Sequence, residues 1–477
     1  MPVKIITMLN SPKQTREFPQ APALRKLLGP SFIILALGLG SGEVILWPYL
    51  VSNYGLGIAW GALLGISFQY FINMEIERYA LVKGESVFVG LAKIFKFAPY
   101  WFILSTFVGF GLPGIIAASA QVMATLLGLE SFKYLAIIFL IFIGIILSSG
   151  RTVYGLMEKL TMSILLIGVP FIFILAIFLG TSHGWWELFK GILGRGEGYN
   201  FLPAGISLAT FLAAFAYSGA GGNLNLTQSI YIKEKGYGMG KYAQKIAGLF
   251  RGKNQEQNIK LNGENFEVNE ENISRFKKWW RVVGLEHLLV FWLMGSLSMF
   301  FLMVLAYGTT YGLAGNAQGI HFVLTEGSII GEKSLSFVGG LFLFAVSVML
   351  FQTQLGIADS TSRIMSENFI LRRKYDDKQP ANLGKIYYIF VWAQIVFGII
   401  LFLFNIYEPK SLIILGAVIN AIAMFVHIGL VAVLNRKSLP KECRPGKART
   451  IIIVLIFMFF GFFSALVLLD KFGVVLR

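Results

Sequence analysis

Charge is what this 477-residue sequence has least of: Asp, Glu, Lys and Arg make up 14%, where an ordinary soluble domain carries about 25%. With a hydrophobic share of 56%, the chain cannot cover itself with polar surface in water, and it belongs in a bilayer. Cysteine occurs once, at Cys443, so an intramolecular disulfide is excluded and redox chemistry is not indicated. Cys443 stands in a Lys/Arg-rich loop and is expected as a free cytoplasmic thiol. The four histidines, His183, His287, His321 and His427, are scattered and form no His-x-x-x-His or Cys/His ligand set. A phosphate loop is missing too. Gly236-Tyr-Gly-Met-Gly-Lys241 has Lys235 where the first glycine belongs and Tyr242 where a Ser or Thr would hold Mg²⁺. These absences exclude an ATP-driven motor and leave no catalytic set, so an enzyme is not expected and no cofactor is called for.

What is there is long apolar runs. Stretches able to cross about 30 Å of hydrocarbon, roughly 20 residues each, occur near 29–53, 57–82, 97–127, 131–149, 153–181, 202–232, 282–308, 334–357, 384–405, 411–435 and 450–470. The expected fold class is therefore an all-α polytopic membrane protein with eleven transmembrane helices. A net charge of +16 would suit nucleic acid, but its placement makes it a topology signal. With the N-terminus in the cytoplasm, the outside segments hold only Lys133, Lys190, Arg195, Lys333, Lys410, Lys471 and Arg477 of 41 basic residues. The C-terminus then lies outside, the cell membrane is the expected location, and the lipid bilayer is a partner while nucleic acid is not. Residues 1–28 read as a cytoplasmic segment without a cleaved signal, and 29–477 as one transmembrane domain. Within a cytoplasmic insertion at 233–281, Ile259 to Val268 reads as a β-hairpin around Asn262-Gly263, and Ile273 to Arg281, with Trp279 and Trp280, as an interfacial helix.

Two runs carry glycine at their centres: Gly38-Leu-Gly40-Ser41-Gly42-Glu43 in the first and Ser218-Gly219-Ala220-Gly221-Gly222-Asn223 in the sixth. Glycine costs about 1 kcal/mol relative to alanine inside a helix, so such clusters mark either broken helices lining a cavity or sites of close helix packing. Their separation by five spans favours the former. It divides the chain into two five-span repeats, about 29–181 and 202–435, with an extra helix at 450–470, as in an inverted-repeat transporter whose site sits near the midplane.

Gly29-Pro30-Ser-Phe32 resembles the Gly-Pro-x-Phe that opens the first span of the Nramp family of proton-coupled divalent-metal transporters. Counted from there, that family's Asp-Pro-Gly-Asn break falls on Gly40-Ser41-Gly42-Glu43. Asn223-Leu-Asn-Leu226 resembles the family's Asn-Leu-Tyr-Leu, which follows a Met-Pro-His break, and sets Ala220, Gly221 and Gly222 at those positions. The resemblance implies a LeuT-type five-plus-five inverted repeat. It also implies metal ligands at an Asp and an Asn of the first span and a Met of the sixth, where this chain has Gly40, Glu43 and Ala220. Losing the thioether removes the soft ligand. Glu43 restores one carboxylate, which with backbone carbonyls suits a hard cation such as Mg²⁺ or Mn²⁺; it can equally carry a coupling proton or cap a half-helix.

The resulting expectation is an ion-gradient-driven secondary transporter of a divalent metal ion. Its substrate path is expected along Gly40, Ser41, Gly42, Glu43, Tyr217, Gly219, Ala220 and Asn223, with Glu43 as the metal ligand. A coupling cation, H⁺ or Na⁺, has candidates in Glu43 and in Asp359, Ser360 and Ser362 of the eighth span, although Asp359 with Arg363 reads equally as an i,i+4 ion pair. The alternative cargo is a small organic solute, for which Trp47, Tyr217, Gly40 and Ala220 make a roomier, partly aromatic pocket.

Overall fold

Helix satisfies every backbone N–H and C=O without water, and the chain is helical almost throughout in the computed structural model, which describes residues 15–22, 30–149, 153–243, 261–316, 319–372 and 382–471. Nine helices among the described residues are long and apolar enough to cross a membrane, from Pro30–Tyr54 to Lys447–Leu469. Two further apolar stretches occupy the fourth and sixth places in the order. Lys133–Ser149 has 17 residues, roughly 25 Å of helix. Leu208–Ala216 and Leu224–Lys235 are two short helices separated by residues 217–223.

The single span expected over 97–127 is present as Ala98–Leu126, broken within its length into the helices Ala98–Phe110 and Gly114–Leu126. Pro113 lies between them; it has no N–H to give to the preceding turn, and its ring obstructs that turn's carbonyls. Short helices outside the spans start on side-chain caps: Ser86 accepts from Val89 N–H and Thr181 from Gly184 N–H, each satisfying a donor that an unextended first turn leaves over.

The segment expected as a hairpin is built differently. Asn265–Phe266 pairs in parallel with Thr15–Arg16, and Gly263 N–H donates to Glu85 Oε2 at 2.9 Å; Ile259 and Lys260 lie outside the described residues. The expected interfacial helix is part of a continuous helical run, Glu270–Thr309, and its tryptophans turn to protein. Trp279 is buried and donates to Pro19 O. The Arg78 guanidinium lies 3.8 Å from the Trp280 ring and that of Arg449 5.1 Å from it, while Arg78 also pairs with Glu75 at 2.9 Å.

The helix Ser336–Leu371 is the internal pillar, lying against Pro30–Gly38, Ala98–Phe110 and Gly114–Leu126. Apolar side chains face outward elsewhere: Leu166, Ile167, Ile174 and Phe178 on Val153–Leu179, and Ile451, Val454, Leu455, Met458 and Phe462 on Lys447–Lys471 are exposed, as a hydrocarbon environment requires. The other face of that last helix is aromatic. Phe457 stacks on Phe425 at 4.5 Å, and Phe459 meets Phe68 at 5.2 Å and Phe215 at 4.6 Å.

Cys443 is buried rather than free in solvent. Its carbonyl accepts from Arg78 Nη1 at 3.1 Å, and burial, with Glu442 adding to it, pushes the thiol up to about 11. A maleimide should therefore label the native protein slowly at neutral pH and faster as pH rises, whereas labelling at the rate of an unfolded control would contradict this packing. A second expectation concerns helix contact. A side chain on Gly42 would collide with the Tyr217 carbonyl, while Gly446 has open space. Gly42→Val should destabilise by about 3 kcal/mol or more and lower the thermal midpoint, with Gly446→Ala unchanged; equal midpoints would refute it.

Candidate functional site

The first helix is interrupted where its glycines cluster. Pro30–Gly38 ends, Gly40 takes φ −134° and ψ −99°, and a π-helical turn, Ser41–Leu46, carries the chain into Trp47–Tyr54. π turns leave the regular ladder and recur at functional sites. In the sixth position the chain leaves helix altogether, and Gly219, Gly221 and Gly222 have φ of +146°, +70° and +52°, values that disfavour any side chain.

The two interruptions press on each other. A Cβ on Gly38 would lie 2.6 Å from Gly219 Cα, and one on Gly40 would strike Thr353. The backbone freed from helix 208–216 is held by neighbours. Gln69 donates from Nε2 to Ala216 O at 2.9 Å and accepts from Gly221 N–H at 3.1 Å. Ser218 Oγ accepts from Trp47 Nε1 at 2.9 Å and donates to Ala214 O. Asn223 Nδ2 donates to Ser105 Oγ at 2.8 Å and Thr106 Oγ1 at 3.0 Å, leaving its buried Oδ1 without a hydrogen-bond partner. Asn420 Nδ2 donates to Gly109 O and to the Tyr217 hydroxyl, both at 2.9 Å.

Glu43 is fully buried and neither carboxylate oxygen has a hydrogen-bond partner. It makes no cap hydrogen bond. It points toward the seventh helical run, where a Cβ on Gly295 would lie 3.7 Å from its Oε1 and would also touch Ile66 and Leu35. Glu43 and Asn223 are thus held by different neighbours and are not bonded to each other. Ala220 and Tyr217 are buried. The Ser41 backbone opens the π turn, and its side chain lies outside what the structure describes.

In the eighth span, Asp359 is a saturated carboxylate. Arg363 Nε lies 2.9 Å from both its oxygens, Tyr387 donates to Oδ1 at 2.7 Å, and Tyr231 donates to Oδ2 at 3.3 Å. Tyr231 also reaches Ser360 Oγ at 2.7 Å, whereas Ser362 Oγ accepts from Gln394 Nε2 at 2.8 Å. The direct link from this span to the first helix is Thr353, whose hydroxyl donates to Ala36 O at 3.1 Å. A cavity of about 10 Å³, room for roughly one water, is lined by Phe110, Tyr217, Gln354 and Gly416 among others. Gln354 also edges a second cavity of about 20 Å³ with Gln394.

Sequence reasoning missed Gln69, Thr353, Ser105 and Thr106, for which the signal is one to three polar residues within an apolar run. It also missed a cluster outside the spans, where ligand atoms of His183, Glu187 and Glu197 lie within 4.8 Å of one another. The i,i+4 spacing of His183 and Glu187 is visible in sequence, but Glu197 arrives by a loop. Lys190 lies 2.5 Å from Glu187. The Tyr307 hydroxyl donates to Glu197 at 2.6 Å and, foremost among its neighbours, holds that carboxyl below the usual range.

Neither a protein-family model nor a curated protein sequence matches the chain. Solved structures do. A variant of the manganese transporter of Eremococcus coleocola superposes with a TM-score of 0.69 at 11% identity, over 97% of this chain and 91% of that one. The same transporter in complex with an aromatic bis-isothiourea substituted compound gives 0.68 at 11%, over 96% and 89%. A nucleobase-cation-symport-1 family transporter, closed with bromovinylhydantoin bound, gives 0.54 at 12%, over 96% and 94%. Likeness at such low identity speaks to architecture, and by it this chain has the LeuT-type fold of these transporters.

Proposed function

We propose that the chain is an ion-gradient-driven secondary transporter that moves a divalent metal ion across the cell membrane by alternating access. The observation that carries this reading is Glu43, a carboxylate without a hydrogen-bond partner in the interrupted first helix. An ionised group so placed costs several kcal/mol unless it is paired, so some step of the cycle must supply a cation or a proton. The Asn223 Oδ1 and the backbone at 217–223 offer neutral oxygen donors on the sixth-position interruption, whose backbone lies against the first at Gly38 and Gly42. A set of one carboxylate and neutral oxygens, with alanine at position 220 and no thioether, suits a hard ion such as Mn²⁺ or Mg²⁺. The pathway residues are those named from the sequence: Gly40, Ser41, Gly42, Glu43, Tyr217, Gly219, Ala220 and Asn223.

The packing supports alternating access. The 10 Å³ cavity is too small for anything larger than an ion or a water, so cargo enters when the bundle holding the two interrupted helices rocks against the rest. Asp359 takes part in ion coupling only if Arg363 releases it, which makes Glu43 the readier carrier of a coupling proton or Na⁺. The distribution of the basic residues supports an N-terminus in the cytoplasm and a C-terminus outside.

A small organic solute is the second reading, supported by the aromatic and amide lining of the cavity at Phe110, Tyr217 and Gln354 and by the hydantoin held in the nucleobase-cation-symport-1 structure. Isothermal titration of the purified protein with Mn²⁺, Mg²⁺ and Ca²⁺ separates the two. The metal reading expects saturable binding of at least one ion, weakened by about tenfold or more in Glu43→Gln; a folded protein that binds none sends the search to organic metabolites. In proteoliposomes, Asp359→Asn should lose Na⁺ stimulation of uptake if that carboxylate couples transport, and Na⁺ stimulation equal to the parent's removes Asp359, Ser360 and Ser362 from the coupling site.

A further inference from the structure

A polar line leads from the sixth-position interruption toward the end of the molecule where Thr15–Pro22 and residues 236–243 lie, and the cycle above does not use it. On the helix Ala59–Lys83, Gln69, Asn73 and Glu77 recur every four residues, which sets them on one helical face. All three are fully buried. That helix packs on Leu224–Lys235. Gln69 holds the backbone at Ala216 and Gly221, and eight residues along, Glu77 Oε1 accepts from Gln228 Nε2 at 2.6 Å. Between these contacts, Asn73 on one helix and Asn225 on the other are buried with no hydrogen bond to either amide atom.

At its far end the line becomes a chain of titratable groups. Glu77 Oε1 lies 3.2 Å from His287 Nδ1, Ser31 Oγ lies 3.0 Å from the same nitrogen, and Ser31 donates to Glu286 Oε2 at 2.6 Å. None of the four is more than 1% exposed. Tyr70 stacks on the imidazole at 5.6 Å and Phe291 at 4.7 Å. Arg449, beside Phe71, is the cation whose field reaches Glu77, and Glu286 is the anion that opposes it there. Glu77 and Ser31 meet on the one imidazole nitrogen Nδ1, so the cluster can take up or release one proton by re-pairing hydrogens there, without moving heavy atoms. The partners stand on four helical runs. Two of these, Pro30–Gly38 with Ser31 and Leu224–Lys235 with Gln228, adjoin the interruptions.

We propose that Glu77, with His287, Ser31, Glu286 and Gln228, forms a buried proton-binding site that latches this end of the two interrupted helices, closed when Glu77 is protonated and released when it is ionised. A neutral Glu77 is compatible with dry packing, whereas its anion needs water and draws the helices apart. The purpose of the latch rests on the transport reading, but its test needs no cargo, so failure to bind any metal would not bear on it. The full chain in nanodiscs is examined by hydrogen–deuterium exchange at about pH 5.5 and about pH 8.5, following peptides over 30–38 and 224–235. Rates are divided by those of Glu77→Gln at the same pH, which removes the intrinsic pH dependence of exchange. The ratio should be near one at the lower pH and rise by about threefold or more at the higher. An equal ratio at both overturns the proposal. So does pH-dependent protection that persists in Glu77→Gln and disappears in His287→Gln, which would put the proton on the imidazole. Should Glu77→Gln fail to fold, rates of the parent and of Glu77→Asp are divided by those of the same peptides unfolded in denaturant at the same pH; the rise must then come at a displaced pH in Glu77→Asp, and a flat profile in both overturns the proposal equally.

Discussion

At Gly42 a lone hydrogen faces the carbonyl oxygen of Tyr217, and at Gly38 another faces the Cα of Gly219. Backbone can approach backbone this closely only where a glycine leaves the contact without a side chain. The approach fixes the first helix against the sixth-position interruption. The next residue, Glu43, turns toward Gly295, and Gly40 stands against Thr353 of the internal pillar. Each of the placements that define the site follows from that contact of backbone on backbone.

Backbone that has left its helix inside a bilayer must find partners in protein, and here it finds them in single polar residues of otherwise apolar helices. Gln69 answers one donor and one acceptor across the sixth-position break. Trp47 reaches Ser218, and Ser105 with Thr106 hold the Asn223 amide. These are neutral groups, so they stabilise the break without the desolvation cost of an ion pair. The charged pairs lie elsewhere, as in Asp359 with Arg363 and Glu75 with Arg78.

The glycine clusters were legible in the sequence because their cost to a helix is local, and the apolar runs because a bilayer imposes a length on each. The split of 97–127 was legible in principle, since Pro113 stands at its centre. The pairing of Asn265–Phe266 with Thr15–Arg16 was not, because Asn262-Gly263 carries a strong local turn signal while the true partner lies some 250 residues away. Nothing local separates Gln69 from any polar residue in an apolar helix; its role exists only once residues 216 and 221 are brought to it. The direction of Glu43 belongs to the same class. Its position could be read, but which helix it faces depends on the glycine contact beside it.

The aromatic face of the last helix has a further consequence. Phe459 and Phe460 lie on Phe215 of the half-helix that precedes the sixth-position break, and Phe459 also touches Phe68 of the second. That half-helix is therefore clad in protein rather than in acyl chains, while Val153–Leu179 presents its outer face bare. These two elements thus meet their surroundings unequally. Any pressure on the bundle from outside acts directly on Val153–Leu179 and reaches Leu208–Ala216 through a layer of phenyl rings.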